Sequence, residues 1–123
     1  MRFATIRTDQ GTTAARLDGD VLTPLQAGDV GAMLAAGGAV RERDGAPAVP
    51  AGQADFAPVV TQPGKVICVG LNYRSHILET GRELPEYPTL FAKFAETLMG
   101  PRDDLVIPSV SERVDWEVEL GVV

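Results

Sequence analysis

The stretch Lys65-Val66-Ile67-Cys68-Val69-Gly70-Leu71-Asn72-Tyr73-Arg74-Ser75-His76-Ile77-Leu78-Glu79 decides the reading of this chain. Its first six residues are a compact apolar run rich in β-branched side chains, the pattern of a buried strand. Asn72 then stands where an N-cap is expected for a short helix from Tyr73 to Thr80, and Gly81 where a C′ glycine ends one. On that helix His76, the sole histidine of the chain, and Glu79 are three apart and share a face. Further on, Pro85 and Pro88 keep the backbone extended into Leu90-Phe91-Ala92-Lys93-Phe94, a second candidate strand. Asp103-Asp104 marks a loop, Leu105-Val106-Ile107 another short strand, and Val114 to Val123 the last, read as a buried strand.

Upstream, the turn signals Asp9-Gln10-Gly11 and Asp18-Gly19-Asp20 separate short segments between residues 2 and 25, the pattern of a small antiparallel meander. Asp29 is placed to cap a helix through Val30, Met33 and Leu34, with Gly37-Gly38 ending it. From Arg41 to Pro63 the composition turns to charge and then to Ala, Pro and Gly, which reads as a surface linker with one extended stretch near Phe56 to Val60. The expected organisation is a small N-terminal β domain with its linker over residues 1–63, and a second domain beginning at residue 64. No repeat or low-complexity tract interrupts it.

The bulk properties exclude several classes. The 123 residues are 45% hydrophobic and 23% charged, ordinary for a globular chain with one modest core. The 11 basic residues are scattered and the formal net charge is -6, so neither nucleic acid nor an anionic membrane is an expected partner. No apolar run approaches the ~20 residues of a membrane helix, and the start lacks a signal-peptide stretch. The single Cys68 forms no intrachain disulfide, in keeping with a reducing compartment. A cytoplasmic location is the expectation.

Three constellations carry candidate chemistry. In a strand, Asp115, Glu117 and Glu119 point one way and Trp116, Val118 and Leu120 the other, with successive acids about 7 Å apart. Two carboxylates so spaced can converge on a hard divalent cation, although taken alone the row is more simply a solvated sheet face. Glu79 can orient the His76 imidazole for proton transfer, or the pair is a chance feature of a helix surface. Lys93, flanked by Phe91 and Phe94, presents an ammonium to a carboxylate or enolate, or snorkels from a partly buried segment. Arg74 and Arg82 are candidates for an anionic substrate, with helix-surface charge as the alternative. No glycine pattern supports a nucleotide site.

Taken in order, Val66 to His76 with Glu79, then Leu84-Pro85 and Pro88-x-Leu90-Phe91-x-Lys93, then Glu117-x-Glu119-Leu120-Gly121-Val122-Val123 resemble the fumarylacetoacetate hydrolase family over Lys65 to Val123. Residues 1–63 resemble, more weakly, the small variable N-terminal domain that members often carry. The resemblance implies a mostly β (α+β) fold, in which the small β domain precedes the start of a mixed β-roll. It implies a magnesium or manganese site, one that calcium can fill in a crystal, with Glu117 and Glu119 as metal ligands. His76 would be the catalytic base with Glu79 orienting it, and Arg74 and Lys93 would bind substrate. The substrate would be a short 2-oxo or β-diketo acid. The reactions would be C–C hydrolysis, decarboxylation or enol–keto isomerisation through a shared enolate. The His-bearing segment would act as a lid, and the full-length form would be a homodimer. Phe94 departs from the family, which usually has proline after the lysine. The family's later aspartate ligand and catalytic lysine are expected beyond Val123. An N-terminal portion inactive by itself is therefore expected; the alternative is a non-catalytic piece that pairs with a chain carrying the missing half.

Overall fold

The computed structural model describes residues 1–123. Strands dominate, with a few short helices, as expected for a mostly β chain: β1 (Arg2–Thr8), β2 (Gly11–Asp18), β3 (Val21–Pro24), helix α1 (Val30–Ala35), β4 (Val49–Pro50), β5 (Val66–Gly70), helix α2 (Arg74–Glu79) and β6 (Thr89–Lys93). Two compact units form, one from residues 1–60 with 99–123 and the other from 61–98.

In the first unit β1, β2, β3 and β4 make an antiparallel sheet in sequence order. The meander follows from its turns. Thr8 pairs with Gly11 and Asp18 with Val21, so each hairpin loop is two residues long. In the second loop Gly19 takes φ +58°, the left-handed value that a two-residue loop of the II′ kind requires at its first position. Period-two alternation then buries both faces. Ile6, Ala15, Leu22 and Ala54 cluster on one face, and Ala14, Leu25, Val30 and Met33 on the other. Fully burying Ile6, Leu22 and Leu25 contributes roughly 1.5–3 kcal/mol each.

Helix α1 begins where the sequence indicates. The Asp29 carboxylate accepts from the Ala32 N–H at 2.5 Å. It ends with Gly38 N–H donating to the Met33 carbonyl and Gly37 N–H to that of Leu34, the paired bonds of a Schellman motif.

The linker departs from the expected surface strap. Ala54 and Ala57 are buried, and residues 55–57 lie along the edge of β1. Arg7 N–H donates to the Asp55 carbonyl at 2.8 Å and Ala57 N–H to that of Thr5 at 2.9 Å. An otherwise open sheet edge is thereby covered. The extended stretch expected near Phe56 is present, and it pairs with β1 through an antiparallel bridge between Ile6 and Phe56.

Two strand assignments are corrected. Residues 105–107 and 114–123 form no strand, and Val106, Trp116, Val118 and Leu120 are exposed rather than buried. A strand needs a ladder partner, and no segment of the 123 residues pairs with them. In the second unit β5 and β6 pair antiparallel, from Val66 opposite Lys93 to Gly70 opposite Thr89. This two-stranded sheet is not buried as predicted: Ile67 and Leu90 are exposed.

Candidate functional site

The second unit positions His76. β5 ends at Gly70, Leu71 takes φ +55°, and α2 follows. Leu71 is the single non-glycine residue with positive φ, a conformation that costs a leucine of order 1–2 kcal/mol and turns the chain sharply from strand to helix. The N-cap is Tyr73, not Asn72 as expected, and its side chain makes no capping hydrogen bond. Tyr73 is still extended, with φ -107° and ψ 118°, so helical geometry begins at Arg74. At the other end the assignment of Gly81 is correct. It adopts φ +71°, its N–H donates to the Leu78 carbonyl at 3.0 Å, and Arg82 N–H donates to that of Ile77 at 3.2 Å.

Ile77 anchors α2, being 3% exposed, whereas Arg74, His76 and Glu79 face solvent. His76 Nδ1 lies 4.0 Å from Glu79 Oε2, the contact expected of an i,i+3 pair. That separation exceeds a hydrogen bond. Glu79 is thus near enough to orient a protonated imidazole by charge.

Lys93 ends β6 opposite Val66, while α2 springs from the Gly70 end of the sheet. The length of the strand, roughly 13 Å, separates Lys93 from that end. Its Nζ sits 6.0 Å from the centre of the Phe91 ring, two residues back on the same strand face. Lys93 is exposed, as is the whole of β6, so the ammonium is accessible.

Glu117 and Glu119 belong to the first unit and lie exposed in an irregular segment. No group of three or more His, Cys, Asp or Glu side chains converges anywhere in the chain. A magnesium or calcium ion takes six or more oxygens, so the residues present do not by themselves fit a divalent cation.

A cluster that sequence reasoning missed lies in the first unit, around Arg7. Its guanidinium makes a two-pronged contact with Asp103, Nη1 to Oδ1 at 2.9 Å and Nη2 to Oδ2 at 2.6 Å. Nη1 also donates to Asp55 Oδ1 and to the Phe56 carbonyl, both at 2.8 Å. Asp103 Oδ2 accepts the Gly100 N–H at 2.7 Å as well. The Arg7 fork and then the Gly100 N–H hold the Asp103 carboxyl below its ordinary range, and the two aspartates keep Arg7 firmly charged. No local signal marks a pair 96 residues apart.

Residues 65–123 match the family described as fumarylacetoacetate (FAA) hydrolase, C-terminal. The chain is 47% identical over 77 residues to the oxaloacetate tautomerase Fahd2a, mitochondrial, of Rattus norvegicus, covering 63% of this chain and 25% of the relative. To the oxaloacetate tautomerase FAHD2A, mitochondrial, of Homo sapiens it is 47% identical over 77 residues, covering 63% and 24% respectively. A fumarylacetoacetate hydrolase domain-containing protein 2 homolog of Dictyostelium discoideum is 46% identical over 67 residues, 54% of this chain and 21% of the relative. The chain thus spans about a quarter of the length of these relatives. The cytoplasmic expectation is corrected by them, since the rat and human proteins are named mitochondrial. Charge, hydropathy and a lone cysteine do not encode a compartment, whereas an address is read by a receptor. The ordered motifs of β5, α2, β6 and the Glu-x-Glu segment all fall within the match, and over residues 65–123 the chain belongs to the fumarylacetoacetate hydrolase family.

Proposed function

We propose that the protein containing these residues interconverts the enol and keto forms of a short 2-oxo dicarboxylic acid of the oxaloacetate type. The observation that carries this reading is the 47% identity to proteins named oxaloacetate tautomerase. Tautomerisation moves one proton between carbon and oxygen and releases nothing. It therefore asks for a proton carrier and for groups that hold the substrate's carboxylates.

His76 is the proposed carrier, because imidazole both accepts and donates a proton near neutral pH. Glu79, at 4.0 Å, is proposed to orient the ring. Arg74, two residues before His76 on α2, offers a fork suited to a carboxylate. Lys93 is proposed for the second carboxylate. Glu117 and Glu119 are proposed as two oxygen donors of a magnesium or manganese site whose other ligands lie outside this chain. The proton transfer assigned to His76 is independent of that site. A homodimer is the proposed assembly of the whole protein.

The test follows loss of the oxaloacetate enol in the whole protein, with pyruvate formation and acylpyruvate cleavage measured alongside. The tautomerase rate exceeds both competing reactions, and His76→Gln lowers it by about 10²–10⁴-fold, the span of a lost general acid–base. Pyruvate formation outrunning tautomerisation, or a His76→Gln protein with full rate, overturns the reading.

A further inference from the structure

Residues 55–57 pair with β1 through Asp55 and Ala57, so the Phe56 carbonyl faces outward from the covered edge. Four features bring the 99–104 loop onto that outward side. Arg7 reaches past the edge, binds the Phe56 carbonyl and grips Asp103 with both prongs. Gly100 is buried and so close to the Phe56 carbonyl that a Cβ there would lie 2.1 Å from its oxygen. Asp103 closes its own loop, accepting the Gly100 N–H at 2.7 Å while its N–H donates to the Gly100 carbonyl at 3.2 Å. The Arg102 guanidinium lies 4.9 Å from the centre of the Phe56 ring.

We infer that Arg7 and Asp103 form a latch by which the N-terminal sheet holds the 99–104 loop of the family-matched segment. The sheet edge is an intramolecular docking surface that recognises a carboxylate and a glycine backbone. Arg7 is a positioning residue: it sets where the chain leaves the sheet on its way to residues 105–123. The N-terminal domain accordingly acts as an anchor for the segment carrying Glu117 and Glu119.

Trypsin reads the latch directly, because Arg102 cannot stack on Phe56 and fill a protease's specificity pocket at the same time. When opening is fast, cleavage tracks the open population. Cleavage after Arg102 is measured in the folded whole protein, in Arg7→Gln, in Asp103→Asn and in the double variant, each rate divided by that of the same bond in a matching short peptide because residue 103 follows the cleaved bond, with far-UV circular dichroism as the check of fold. Each single variant is expected to be cut at least tenfold faster, and the double variant no faster than the singles, as for two halves of one contact. Should Arg7→Gln fail to fold, Asp103→Asn, on the loop itself, carries the test. Single variants cut at the parent rate, or a double variant whose acceleration is the product of the two, overturn the latch. The assay needs no substrate, so absent tautomerase activity leaves this inference standing.

Discussion

Replacing Thr5 by valine keeps the side-chain volume and removes one hydroxyl from the middle of the sheet. Thr5 is 1% exposed, and its Oγ1 donates to the Val59 carbonyl at 2.6 Å while accepting the Val30 N–H at 3.2 Å. Those two bonds join β1 to the linker and to the first turn of α1. The Val30 N–H belongs to a first turn, where no intrahelical acceptor exists, and Val30 is 6% exposed. Valine strands that donor at a cost of about 1–3 kcal/mol. Val59 is 49% exposed, so its carbonyl regains water and only the net worth of a bond, ~0.5–1.5 kcal/mol, is lost there. The extra apolar group returns up to ~0.8 kcal/mol. The balance is a destabilisation of about 2 kcal/mol, or a fall in Tm of roughly 8–16 °C for a domain of this size. Urea and thermal unfolding of the parent, Thr5→Val and Thr5→Ser proteins measure it. Serine keeps both bonds and costs about one methyl group, under ~1 kcal/mol. A valine variant as stable as the parent, or a serine variant weaker than the valine one, would refute the account, because packing and not hydrogen bonding would then dominate at Thr5.

Gly100→Ala forces a methyl against the Phe56 backbone, which cannot swing aside as a flexible side chain would. A loss of about 1–3 kcal/mol is expected, in the range of overpacking, and an unfolding midpoint equal to the parent's would show that the loop is not seated there. Asp29→Ala removes the α1 cap and costs about 1 kcal/mol, whereas Asp29→Asn retains most of it; equal stability of the alanine variant counts against the cap. The Asp103 carboxyl is depressed in the folded chain, so its contribution is fully present above the ordinary aspartate value near 4 and is lost as the pH falls through the depressed one. Stability measured from pH 6 downward is expected to fall with a component that Arg7→Gln abolishes, and identical profiles for the two proteins would contradict it.

Local chemistry suffices for some elements of this fold and not for others. Asp18-Gly19-Asp20 and Asp29 with Gly37-Gly38 specify backbone geometry within a few residues, and the β2–β3 hairpin and helix α1 appear where those residues put them. The run Val66 to Gly70 becomes a strand for the same reason. Asn72 misses the N-cap by a single residue because Tyr73 stays extended and the helix starts at Arg74. The helical spacing of His76 and Glu79 was legible and brings the two side chains to 4.0 Å. The strand expected around Glu117 and Glu119 was not realised, since alternation announces a face but supplies no neighbour to cover it.

By itself, then, the sequence determined the mostly β class, the meander, both helix C-termini and the family of residues 65–123. Tertiary structure alone decided that residues 55–57 seal the β1 edge, that Gly100 must lack a side chain, and that Arg7 grips Asp103. Turns, caps and alternation are written in adjacent residues, because each constrains φ and ψ where it stands. A contact across 96 residues is chosen by which surfaces the completed sheet leaves open, and neither partner carries a mark of that choice.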